Sequence, residues 1–148
     1  MARQYIGIDP GKSGGAAWID EESDVISTIK FTESERDICE WFLAIDTAHA
    51  VIEKVHSMPK QGVKSMFTFG QSYGFLRGML IAHSFPFQCV APNVWMREMG
   101  LKTRGDKRVN YSRAQEIFPE VKVTHAIADA LLLAEYARKI GYGHQAPL

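Results

Sequence analysis

The sequence predicts an α/β fold, a mixed five-stranded sheet flanked by helices. Two observations predict it. Three short strand-like runs joined by polar turns open the chain, and strand-like and helical stretches then alternate. A length of 148 residues fits one domain around one core.

The elements follow in order. Tyr5-Ile6-Gly7-Ile8 is a short apolar strand ending at Asp9. Pro10-Gly11-Lys12-Ser13-Gly14-Gly15 is a turn rich in breakers, and Ala16-Ala17-Trp18-Ile19 resumes as a strand. After the polar turn 20–24, Val25-Ile26-Ser27-Thr28-Ile29 alternates like a third strand, giving an antiparallel meander. Residues 34–44 read as a helix, with Ile38, Trp41, Phe42 and Ile45 at helical spacing. Residues 50–55 form a fourth strand, 63–83 a long helix and 85–90 a fifth strand. Helices are expected over roughly 92–99, 106–117 and 125–140, the last with Ile127, Leu131, Ala134 and Ala137 near one stripe. No repeat, low-complexity tract or interdomain linker is visible in the sequence.

Composition narrows the class. An apolar content of 46% is ordinary for a globular protein, and no apolar run is long enough to suggest a membrane span. The first residues lack the apolar stretch of a signal peptide, so the cytoplasm is the expected location. Cys39 and Cys89 have no metal-binding spacing and lie in apolar contexts, where small buried side chains are expected, free in a reducing compartment. The formal net charge is zero, but it is split. Residues 1–50 carry 10 acidic and 4 basic side chains, whereas residues 51–148 carry 7 acidic and 13 basic. Such a division is consistent with one anion-attracting face.

Three carboxylates stand where packing explains them poorly. Asp9 ends an apolar strand, Glu53 interrupts the apolar run 50–55, and Asp129 lies within Ile127-Ala128-Asp129-Ala130-Leu131 on the last helix. Each has a plain alternative: a turn-forming Asp, an edge-strand Glu facing solvent, and a buried structural ion pair. Carboxylates converging from separate elements are what a metal-dependent nuclease needs. Paired ions about 4 Å apart activate water and stabilise the leaving oxygen. Oxygen ligands select Mg²⁺ or Mn²⁺ over zinc.

The ordered set Ile6-Gly7-Ile8-Asp9-Pro10-Gly11, Ile52-Glu53-Lys54-Val55, Gly70-Gln71 and Ala128-Asp129-Ala130-Leu131 resembles the RuvC family of Holliday junction resolvases over nearly the whole chain. The compact length resembles the phage-encoded branch. The resemblance implies an RNase H-like fold, a homodimer, and Mg²⁺-dependent paired nicking of four-way DNA junctions. It also implies that Asp9, Glu53 and Asp129 are the catalytic, metal-holding carboxylates. Val55-His56-Ser57-Met58 matches the loop after the glutamate, where relatives insert an aromatic wedge into the junction; His56 takes that place here, or is a plain loop histidine.

One position departs from the family. Relatives carry a further carboxylate three residues before the last aspartate, and this chain has Ala126. His125 stands one residue earlier, four before Asp129, and is a candidate for proton transfer. Either the natural enzyme uses fewer carboxylates, or Ala126 is a replacement that disables cleavage.

DNA contacts are expected from two basic strips. Lys102, Arg104, Lys107 and Arg108, with Arg113 beyond them, surround a helix start at Asp106 that can meet a phosphate. Lys54, Lys60 and Lys64 flank the segment after Glu53. The alternative is solvated charged turns. The long helix 63–83 is apolar on more than one face, and Gly70, Gly74 and Gly78 at four-residue spacing offer a dimer seam or simply core.

Two rival readings are weaker. Asp9-Pro10-Gly11-Lys12-Ser13-Gly14 has the look of the first phosphate turn of actin-like ATPases and sugar kinases, but those are two-lobed proteins of far greater length. Position 6, where a P-loop needs its first glycine, is Ile6. A junction-binding protein without catalysis is favoured only by Ala126.

Overall fold

The computed structural model describes residues 3–54, 62–102 and 106–141. His56, Lys60 and Arg104 of the expected DNA contacts lie outside them. Five strands, β1 (Gln4–Asp9), β2 (Gly15–Asp20), β3 (Val25–Lys30), β4 (His49–Glu53) and β5 (Phe87–Val90), form one sheet in the order β3-β2-β1-β4-β5. The first three are antiparallel neighbours, and β4 and β5 add parallel to β1. The mixed sheet expected from the sequence is therefore present, with β1 at its centre.

Among the described residues the helices are α1 (Glu35–Leu43), α2 (Val63–Ala82), α3 (Pro92–Glu98), α4 (Lys107–Ile117) and α5 (His125–Ile140). Ser34 caps α1, its hydroxyl accepting from the Asp37 N–H at 3.1 Å, and Glu35 and Asp37 favour the positive end of that helix. Asp106 caps α4 by accepting from the Arg108 N–H at 2.9 Å. Pro92 opens α3, where a missing N–H costs nothing.

Strand alternation divides the core in two. Ile6, Ile8, Ala50 and Ile52 pack with Ile38 and Phe42 of α1 and Leu76 and Leu80 of α2. Tyr5, Ala17, Ile19 and Val51 pack on the other face with Trp95 of α3, Ala114 of α4 and the buried run Ala130–Ala134 of α5. The odd-numbered residues of β1 and β4 thus face α5. Asp9 and Glu53 share that parity.

Helix α5 lies directly on β1. A Cβ on Gly7 would fall 2.2 Å from the Ala130 carbonyl oxygen and 2.2 Å from the Ala134 nitrogen. One on Gly15 would fall 3.0 Å from the Ala126 carbonyl oxygen. Glycines on the sheet and alanines on the helix let the two backbones touch, so the position of α5 along β1 is fixed.

Three expectations need correction. Strand β4 stops at Glu53 rather than running through to residue 55, so the glutamate ends the strand instead of interrupting it. Strand β5 begins at Phe87 instead of residue 85. Cys89 is exposed, not buried, because β5 is the sheet edge; its sulfur accepts from the Tyr73 hydroxyl at 3.4 Å. No helix among the described residues is long and apolar enough to cross a membrane.

Candidate active site

Asp9 and Glu53 occupy the carboxyl ends of adjacent parallel strands. The pairing Ile8↔Ile52 sets the register, so the two carboxylates lie one step beyond the same rung. Pro10, which has no N–H to donate, stops β1 at this point. Helix α5 brings Asp129 over the same end, because Ala130 is seated on Gly7 and Ala126 beside Gly15, the partner of Asp9 in β2.

Electrostatics join the three. Burial pushes the Asp9 carboxyl well above its ordinary value of 3.8, and the charges of Asp129 and then Glu53 push it further. Lys107 opposes the rise. Burial also raises Glu53, against a hydrogen bond from Trp95 that lowers it and the Asp129 charge that adds to the rise. Burial raises Asp129, against lowering by Asn110 and Lys107. Asp9, Glu53 and Asp129 thus make one concentration of negative charge, with Lys107 as a nearby cation.

Two neutral donors hold members of the set. The indole N–H of Trp95 donates to Glu53 Oε2 at 2.8 Å, and the Asn110 amide donates to Asp129 Oδ1 at 2.9 Å. Sequence reasoning missed both. Asn110 had a signal: it is a polar residue on the stripe Asn110, Ala114, Ile117 that faces the core, and it is buried. Trp95 had none, since an apolar reading accounts for it.

The other predicted residues separate. Lys107 is the first residue of α4 and acts on Asp9 and Asp129 through its charge. Arg108 turns instead to its own cap, Asp106, with its Nε donating at 2.7 Å. His125 is exposed at the start of α5, its ring 5.0 Å from that of Tyr111. Lys54, Lys64 and Lys102 are exposed. Lys64 lines an open groove of about 530 Å³ together with Lys12, Thr68 and Phe69, which makes Lys12 a further basic residue near the expected strip.

Three carboxylates without thiolate or imidazole are hard donors and fit a divalent cation such as Mg²⁺ or Mn²⁺. Their mutual repulsion is the electrostatic condition that such an ion relieves. As the side chains stand, no three His, Cys, Asp or Glu residues among the described residues are drawn together tightly enough to chelate an ion. The charge coupling acts over longer distances than ligand bonds, so the set is open rather than closed.

No family model matches the chain, and no curated protein sequence matches it. Solved structures do. A Thermus thermophilus RuvC structure matches at 13% identity with a TM-score of 0.55, covering 93% of this chain and 96% of that one. Thermus thermophilus RuvC in complex with Holliday junction substrate matches at 14% identity and a TM-score of 0.62, with the same coverage. The chain has the fold of RuvC, an RNase H-like fold.

Proposed function

We propose that this protein is a structure-selective endonuclease that resolves four-way DNA junctions by paired, Mg²⁺-dependent phosphodiester hydrolysis. The observation that carries the reading is the convergence of Asp9, Glu53 and Asp129, from two strand ends and a helix, into one electrostatically coupled set. The fold likeness to a RuvC bound to Holliday junction substrate supports the choice of substrate.

Asp9, Glu53 and Asp129 would hold the cation, with Asp9 as the carboxylate the others flank electrostatically. Bound there, Mg²⁺ or Mn²⁺ would activate water and stabilise the leaving oxygen. Lys107, already within electrostatic reach of Asp9 and Asp129, balances their charge and attracts a phosphate to the same place. His125, exposed beside Tyr111, is the candidate for moving a proton to or from solvent. Lys54, Lys64, Lys102 and Arg108, with His56, Lys60 and Arg104, would contact the duplex arms.

Paired nicking needs two sites, and we assign the second to a second copy of the chain. Helix α2 supports this assignment: Val63, Phe67 and Ile81 are exposed, and Gly70, Gly74 and Gly78 have open space above them. A partner helix can approach closely along those small residues.

A second reading, junction binding without cutting, is favoured by one observation. Ala126 stands three residues before Asp129 on α5, where the RuvC family carries a further carboxylate, and its carbonyl lies beside Gly15. Incubation of the protein with a labelled four-way junction and with linear duplex, in Mg²⁺, Mn²⁺ or chelator, separates the two. Symmetric nicks in the junction only with metal support the nuclease. Tight binding with no cutting in either metal supports the non-catalytic reading.

A further inference from the structure

We propose that Trp95 and Asn110 are positioning residues of the metal site, two neutral N–H donors that hold Glu53 and Asp129 for the cation. The proposal deepens the nuclease reading and rests on it. Each donor engages one named oxygen of one carboxylate, Trp95 Nε1–H on Glu53 Oε2 at 2.8 Å and Asn110 Nδ2–H on Asp129 Oδ1 at 2.9 Å. An ionised carboxylate only accepts, so the amide nitrogen of Asn110 must be the atom that meets it.

The choice of donor matters. A lysine or arginine here would orient a carboxylate but also neutralise it, and would compete with a cation. Indole and amide donors orient without neutralising, leaving the negative charge for the metal. Both are also rigidly mounted. Trp95 is the largest of the fully buried side chains and is packed among Met99, Leu131 and neighbouring core residues, so its N–H is a fixed point. Asn110 is 7% exposed on a helix whose start is pinned by the Asp106 cap.

Glu53 is a flexible side chain at a strand end, and holding it in one rotamer costs entropy that a prearranged donor offsets. The arrangement also links elements. Helices α3 and α4, which follow the last strand, each reach back to one of the carboxylates on β4 and α5. They thereby fix the ends of elements that otherwise meet only through the core.

The indole itself supplies the test. The sequence has three tryptophans. Trp18 donates its indole N–H to Gln4 and Trp41 donates to Ser27, so each indole proton sits in a different bond. In a ¹⁵N–¹H spectrum of the intact protein titrated with Mg²⁺ alone, the Trp95 indole resonance should move, and those of Trp18 and Trp41 should stay. Trp95→Phe assigns the signal; if that variant does not fold, Trp18→Phe and Trp41→Phe assign it by elimination.

The same titration in Asn110→Leu, which keeps the branched shape and removes the donor, should give a midpoint at roughly tenfold to hundredfold higher Mg²⁺. A Trp95 signal unmoved while Mg²⁺ binds and cleavage proceeds, or an unchanged midpoint in Asn110→Leu, overturns the positioning role and leaves the nuclease standing. No Mg²⁺ binding to the protein, with or without a junction, overturns both.

Discussion

The backbone of β1 at Gly7 meets α5 so closely that a Cβ there would sit 2.2 Å from the carbonyl oxygen of Ala130. The residue before Ala130 is Asp129, and two residues after Gly7 comes Asp9. One contact between backbones therefore sets the spacing of two carboxylates.

Gly7→Ala tests that contact. The obstructing atoms are backbone on α5, so no side chain can move aside. The expected destabilisation is about 3 kcal/mol or more, at or above the upper end of ordinary overpacking. Thermal unfolding checks it; a melting temperature equal to that of the parent would show that α5 does not lie where described.

Stability without divalent cation should fall as pH rises. Folding raises the pKa of Asp9, Glu53 and Asp129 above their ordinary values. Below those ordinary values the groups are protonated in both states and carry no penalty. As pH climbs through the raised values, the folded state must hold the charges together, and stability is lost. Asp9→Asn relieves this, so in chelator its melting temperature should exceed that of the parent by about 3 °C for each ~1 kcal/mol recovered. The gap should be wider at pH 8 than at pH 5. A variant less stable than the parent at both would contradict the electrostatic account.

Lys107→Met removes the cation that lowers Asp9 and Asp129. Both carboxyls then titrate at higher pH, and the acid limb of the pH–rate profile for junction cleavage should move to higher pH. Junction affinity should weaken modestly, and the slope of log affinity against log salt should shrink by about 1 if Lys107 also meets a phosphate. An unmoved acid limb would remove Lys107 from the site.

Ala126→Asp adds a carboxylate one turn before Asp129, over the end of β2. Single-turnover, Mg²⁺-dependent cleavage should rise about tenfold or more, the scale on which one ligand or its support acts. No change would mean that the three existing carboxylates are sufficient.

Much of the fold was legible in the sequence because its buried elements are apolar runs bounded by turn-forming residues. The runs of β1 and β2 are strands with core on both faces, and α5 is buried along most of its length. The carboxylates were legible for the converse reason: Asp9, Glu53 and Asp129 sit in apolar settings where charge is costly. The end of β4 was misjudged because Val55 continues the apolar pattern, and periodicity carries no information on where pairing to β1 stops. Cys89 was misjudged because an apolar neighbourhood in sequence does not reveal an edge strand. Trp95 was invisible as a site residue, and Asn110 showed only as a polar residue on a buried stripe, since the role of each depends on which carboxylate lies across from it. Lys107 was identified as a phosphate contact, but its coupling to Asp9 depends on the angle at which α4 meets α5.

Diffraction from crystals grown with Mn²⁺, measured at a wavelength where manganese scatters anomalously, decides whether the three carboxylates form a metal site. An anomalous peak is expected within bonding distance of the carboxylate oxygens of Asp9, Glu53 and Asp129. A well-ordered site with no peak there, or manganese bound only elsewhere on the protein, would contradict such a site.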